Sequence, residues 1–349
     1  MKSFVPDYTN ITQAACNIKP KRMPLYEHII SEKIMEQILG RKFAILKNGD
    51  LKDKKEYLKN YVYFFKTMGY DSVSFERLIT AIMPGNGALY GHKLGIIKNL
   101  EDFRKYPWES IPDKFFETYG DDFRLLGEVM PVGMKAVGGP GNGVFECLQD
   151  IIGYTDLCYI AVDDPELYDA LFKKMGEVML AIWRTFLLKY GDVFAICRFG
   201  DDLGFRSSTL ISPLDIHNKI IPQYQRIIQL VHSYHKPFLL HSCGHIFEVM
   251  EDLVKIAKID AKHSNEDEIA IFKVWVEKYG DSIGNFGGVD MNVLCLSNEQ
   301  EIKEYVREVI DYSIDSKGFA LGSGNSIPEY VPVEGYLAMI EAGREARGE

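Results

Sequence analysis

The chain has 349 residues, 46% of them hydrophobic and 26% charged, with a net charge of −10 and a pI of about 5.4. That is an ordinary globular composition with length enough for a large core, and its acidic balance argues against a nucleic-acid partner. No apolar run is long enough to cross a bilayer, and the start "MKSFVPDYTNITQ" lacks the apolar stretch of a secretory signal. Cys16, Cys147, Cys158, Cys197, Cys243 and Cys295 show no paired spacing, so free thiols in a reducing cytoplasm are expected.

In chain order, eight short apolar runs read as strands: "RMPLYEHII" from Arg22, "DSVSFERLI" from Asp71, "RLLGEVMPVG" from Arg124, "VFAICRFGDD" from Val193, "PFLLHSCG" from Pro237, "IDAKHS" from Ile259, "SIGNFGGVD" from Ser282 and "GFALGSGN" from Gly318. Continuous apolar runs bounded by Gly and polar residues are the signature of buried parallel strands. Helix signals fall between them. Asp163-Asp164-Pro165-Glu166 opens a helix to about Tyr190, and Asn298 with Glu301 has capping-box spacing before a helix ending near Gly318. "SPLDIHNKIIPQYQRIIQLVHSYHK" is helical, with Pro222 marking a kink or a break. The alternation predicts a single (β/α)8 barrel over residues 1–349, a TIM barrel whose residues 1–60 form a largely helical extension. A doubly wound open sheet would carry a glycine-rich dinucleotide turn, and none is found.

In such a barrel the functional groups gather at the C-terminal strand ends. There the chain places Glu27, His28, Glu76, Asp201, Asp202, His241, Cys243, His263, Glu266, Asp267, Asp290 and Asn325. Helix capping is the better account of an acid such as Asp290 or Glu76, since acids at helix starts are common. His241-x-Cys243 is different: residues i and i+2 of a strand point the same way, and imidazole with thiolate makes good zinc ligation. Alone, that pair also fits a packed thiol beside a hydrogen-bonded histidine, and a third ligand must come from elsewhere.

"GDDLGFRSSTLISPLDIHNKIIPQYQRII", "HSCG", "FGGVD" and "LGSGNSIPEYVPVEGYLAMIEAGRE" together resemble the uroporphyrinogen decarboxylase superfamily. The resemblance covers almost the whole chain, most clearly from Leu125 onward, and implies a (β/α)8 barrel. The superfamily includes metal-free decarboxylases of uroporphyrinogen and zinc-dependent methyltransferases that work with corrinoid proteins. A decarboxylase signature of the type "MRQAGRY" is missing here, where the region reads "PKRMPLYEHII"; the methyltransferase branch is the better match. Those enzymes carry H-x-C and a further Cys in a segment like "GCGIP". This chain has "GSGNSIP", with Asn325 in the place of that Cys. Related methionine synthases use a Glu on the next strand, and Glu266 lies close to that spacing, with His263 as the competitor.

The resemblance therefore implies zinc on His241, Cys243 and Glu266 (alternate His263), and a corrinoid carried by a partner protein. It implies a methyltransferase taking a methyl group from a small methylated substrate, a methyl ether among the candidates; charge, cysteine usage and hydropathy add the expectation of a cytoplasmic protein with no nucleic-acid or membrane partner. Asp201 and Asp202 would hold or protonate the leaving atom, unless they cap a loop. Arg198 and Arg206 would bind an anionic group, unless they pair with acids. Glu27, His28, Glu76 and Asn325 complete the expected substrate site. Metal-free decarboxylation is the alternative, and a non-catalytic binding subunit the third reading.

Overall fold

The computed structural model describes residues 4–349. Among them, seven parallel strands form one curled sheet in sequence order: β1 Ser72–Leu78, β2 Lys135–Gly141, β3 Phe194–Gly200, β4 Phe238–His241, β5 Ala261–His263, β6 Gly284–Val289 and β7 Phe319–Ser323. β3 to β7 are buried throughout, as strands covered on both faces require. The register aligns Gly200, His241 and His263 on adjacent strands, which places the His241 end of β4 between two neighbours. No helix among the described residues is long and apolar enough to cross a membrane.

Helices pack outside the sheet where their start signals place them. The Asp164 side chain caps the helix Pro165–Tyr190 by accepting from Leu167 N. Asn298 and Glu301 form the full capping box of the helix Glu299–Ser313. Pro222 lies in the first turn of the helix Ile221–Ser233, where its missing N–H is tolerated, directly after a π-helical turn, Ile216–Ile220. At the other end of the sheet the helix Thr9–Ala15 acts as a plug. Its Ile11, Ala14 and Ala15 pack with Val137, Leu239, Ala261 and Phe286 in a core inside the curl, separate from the larger core between strands and helices.

Two strand expectations need correction. Residues 124–133 do not form a strand. They end the amphipathic helix Ile111–Val129, which buries Leu125 and Leu126, and lead into a turn. The strand is the next segment, "KAVGGPG", whose glycines and proline read as a turn. Gly138 is required there: its φ is +144°, and a Cβ would collide with the Phe75 carbonyl of β1.

The second correction concerns closure. Residues 24–31 take the eighth place without a continuous ladder. Tyr26 N donates to Leu321 O, Leu321 N to Pro24 O, Ile327 N to Ile29 O and Ser31 N to Ile327 O, so the segment is fastened to β7. Toward β1 its direct bond is a side-chain one, from Ser74 Oγ to Glu27 O. The extension carries helices at Glu32–Leu39 and Leu51–Met68, but residues 16–31 are not helical.

The seam beside β1 is tied instead by Arg198 of β3, which is fully buried. Its Nη1 donates to Tyr26 Oη (2.8 Å) and to His28 O (3.1 Å), and its Nη2 to Glu76 Oε2 on β1 (2.7 Å). Removing one partner of a buried ion pair strands the other charge. Arg198→Leu is therefore expected to cost about 3–5 kcal/mol in urea unfolding, and a loss below about 1 kcal/mol would show that the seam does not rely on it.

Candidate active site

The site is assembled at the C-terminal strand ends around His241. Its protonation pattern follows from counting hydrogens. Burial holds His263 down to about 3 and also pushes His241 well below the ordinary imidazole range, so both rings are neutral. His263 Nε2 lies 2.9 Å from the Ser323 carbonyl oxygen, which only accepts, so Nε2 carries the hydrogen. His263 Nδ1 is then the acceptor in its 2.7 Å contact with His241 Nδ1, and His241 Nδ1 the donor. The lone pair of His241 is left on Nε2, 3.5 Å from Cys243 Sγ and 3.9 Å from Asp202 Oδ1.

Cys243 follows from the end of β4. Gly244 behind it has φ +84°, and a Cβ there would collide with the backbone of Gly204, so glycine lets the two loops meet. Burial pushes the Cys243 thiol far up, with Asp202 adding to it. Two donors nevertheless face the sulfur, Ser264 Oγ and Asn325 Nδ2, each at 3.4 Å. Asn325 cannot turn its oxygen to the sulfur without losing the bond its Oδ1 accepts from Ser326 N (2.8 Å).

The expected residues separate into distinct places. Asp202 is partly exposed and accepts from Cys243 N (2.9 Å). Asp201 is fully buried, accepts from Phe145 N, Glu146 N and Tyr224 Oη, and so caps the helix Val144–Ile152; burial raises its pKa to about 6. Glu266 is not among the ligand atoms grouped around His241; with Asp290 and Asn325 it lines a separate cavity of about 350 Å³. The arginines do not pair with Asp201 or Asp202: Arg198 serves Glu76, and Arg206 pairs with Glu268 at 2.6 Å. Asp267 takes a hydrogen bond from Tyr305. His28 stacks on His241, with ring centroids 3.7 Å apart and planes 4° from parallel.

Among the described residues, two groups bring three ligand atoms within 4.8 Å of one another: His28, His241 and His263, and Asp202, His241 and Cys243. His263 has both nitrogens engaged, which weakens the first group. The second offers an imidazole lone pair, a thiol and a carboxylate. Zinc–nitrogen and zinc–sulfur bonds at a tetrahedral angle put the two donors about 3.5 Å apart, and the His241–Cys243 separation is 3.5 Å.

Glu146 escaped the sequence reading. It sits in the first turn of Val144–Ile152, behind β2, and the misplaced strand hid it. Burial, then Asp201 and Asp202, hold its carboxyl well above the usual range. Asn142 Nδ2 donates to Oε2 at 2.9 Å, and Asp202 N makes a longer contact to Oε1 at 3.4 Å.

Glu27 supports the same network from below. Ser323 N donates to its Oε1, and Ser323 Oγ contacts both its Oε2 and the Asn325 carbonyl oxygen. Ser323 has one hydroxyl hydrogen and the carbonyl can only accept, so Glu27 supplies the hydrogen of the other contact. Burial accordingly raises its pKa to about 8. A carboxyl raised in the folded state stabilises fully below its unfolded pKa of about 4.3, and that contribution is lost as pH rises through about 8. Glu27→Gln keeps both contacts, so wild-type stability is expected to fall by a few kcal/mol more than the variant's between about pH 5 and 9. Parallel denaturation curves for the two across that range would rule this out.

Residues 99–346 match the profile of the family described as Uroporphyrinogen decarboxylase (URO-D). No curated protein matches the chain. Among solved structures, a methyltransferase from Methanosarcina mazei superposes with a TM-score of 0.70 at 15% identity, covering 97% of this chain and 98% of its own. A Listeria monocytogenes protein assigned as a vitamin-B12-independent methionine synthase superposes with a TM-score of 0.55 at 14% identity, covering 95% and 99%. At these identities the likeness is one of fold.

Proposed function

The chain belongs to the uroporphyrinogen decarboxylase family, and from that premise we propose that it is a zinc-dependent methyltransferase moving a methyl group from a small methylated substrate to a corrinoid carried by a partner protein. The observation that carries the reading is the Asp202–His241–Cys243 group, whose donor set and His241–Cys243 spacing suit zinc. The fold shared with the Methanosarcina mazei methyltransferase supports it.

His241 would bind through Nε2, since its Nδ1 hydrogen is committed to His263; His263 thus orients a ligand instead of being one. Ser264 and Asn325 donate to Cys243 Sγ and favour its thiolate. Asn325 thereby has a role where the resemblance implies a Cys. Asp202, held by Cys243 N, is the third ligand in preference to Glu266. Zinc bound there would supply Lewis acidity to the atom that bears the methyl group. Glu146, whose carboxyl burial and the neighbouring acids hold well above the usual range, stands beside Asp202 to return a proton to the demethylated product. Around the mouth, Tyr90, Leu94, Phe205 and Tyr330 are exposed on loops after β1, β3 and β7, an apolar rim suited to a docking protein.

Decarboxylation of a substrate with many carboxylates has less support. It calls for several free cations, and the arginines at this face are spent on Glu76 and Glu268.

Protein purified without chelator is expected to hold about one zinc per chain. Cys243→Ser and Asp202→Asn should each lower occupancy at least about tenfold, while Glu266→Gln stays within about twofold. Full zinc in both ligand variants, or an active metal-free wild type, would overturn the assignment. Methyl transfer to cobalt(I) corrinoid from methoxylated, amine, alcohol and thiol donors tests the reaction itself.

A further inference from the structure

A cavity of about 640 Å³ lies at the unclosed seam. It takes lining residues from both faces of β1. Ser74 and Glu76 come from the face toward Arg198, and Phe75 and Arg77 from the face against the helices. Residues 28–32 form the opposite edge, and the helices Leu51–Met68 and Ile111–Val129 supply the outer wall. The cavity thus runs through the gap left where the eighth place has no ladder to β1.

Three features of its lining define a ligand. First, Arg198 and His28 are buried and line it, yet Arg198 Nε and His28 Nδ1 have no hydrogen-bond partner among the described residues. A buried guanidinium N–H without an acceptor is costly, and a ligand oxygen would satisfy it. Second, Tyr57, Tyr61, Phe75 and Tyr119 give it aromatic walls. Third, four cations (Lys47, Lys54, Arg77, Arg198) meet three carboxylates (Glu32, Glu76, Asp122). The surplus positive charge sits at the outer wall, where Asp122 alone serves Lys54 at 3.1 Å and Arg77 at 2.7 Å. A positively balanced pocket in a chain of net charge −10 is selective for anions.

We propose that this cavity binds a monoanionic aromatic of the alkoxybenzoate class, entering through the seam. Its carboxylate meets Lys54 and Arg77, its ring lies between the tyrosines, and its ether oxygen accepts from Arg198 Nε. That end lies against His28, whose ring stacks on His241. A lateral entry leaves the C-terminal mouth clear for a macromolecular partner. That the bound aromatic is the methyl donor rests on the reading of the preceding subsection; that the cavity binds it does not.

The test is titration calorimetry on the full chain with 4-methoxybenzoate, 4-methoxybenzyl alcohol and 4-methoxybenzylamine. The anion should bind saturably at one site, with the neutral and cationic analogues at least about tenfold weaker. Ala81 is exposed on the cavity wall, so Ala81→Trp fills space without disturbing a core; it should weaken the anion at least about tenfold. Lys54→Met should weaken the anion about tenfold and leave the alcohol within about twofold. Unchanged circular dichroism certifies both variants as folded. No saturable binding of the anion, binding indifferent to Ala81→Trp, or an amine bound as tightly as the anion would each overturn the proposal. Binding without methyl transfer would keep the cavity assignment and remove the donor role; transfer without such binding would do the reverse.

Discussion

One buried guanidinium holds together the part of this sheet that backbone hydrogen bonding does not. A barrel ordinarily closes by laddering its first strand to its last. Here the segment in the eighth place is fastened to β7 by backbone bonds, and beyond the Ser74–Glu27 bond its link to β1 passes through Arg198, which reaches Tyr26 and the His28 carbonyl on one side and Glu76 on the other. Burying that charge is tolerable because Glu76 neutralises it and oxygen acceptors take both terminal nitrogens. The unclosed seam is therefore a stable feature, and the large cavity that runs through it follows from the same arrangement.

The site depends on a second, neutral network. From Glu27 through Ser323 and His263 to His241, each donor has an acceptor, and the chain of hydrogens ends by leaving one imidazole lone pair beside a thiol and a carboxylate. Such a chain is effective only if its members keep fixed protonation states. Burial enforces this by holding the histidines neutral and Glu27 protonated. Ser323 joins the relay at two points, through its backbone carbonyl and its hydroxyl, which couples the end of β7 to the end of β4.

Much of this was legible in the residues. Six of the seven strands lay under apolar runs, and the caps at Asp164 and Asn298 stood where their side chains suggested. β2 escaped because strand glycines needed for close backbone approach look like turn glycines, while the neighbouring helix end, rich in Leu and Val, looks like a strand. That error also concealed Glu146. His241 and Cys243 were readable because a period of two is a local property of a strand. The role of Asp202 was not: Asp201 and Asp202 are adjacent and chemically alike, and only the loop geometry turns one onto a helix N-terminus and the other toward Cys243.

By itself, the sequence determined the α/β alternation, the residue types gathered at one end of the sheet and the family, because these depend on periodicity and on motifs contiguous in the chain. The tertiary structure decided which acid stands near His241 and Cys243, which histidine donates and which accepts, and that residues 24–31 would leave a seam beside β1. Those outcomes turn on distances between residues far apart in the chain, such as the 296 positions between Glu27 and Ser323. No local pattern encodes such a distance; it exists only once the strands have taken their register and the buried groups have settled where their hydrogens go.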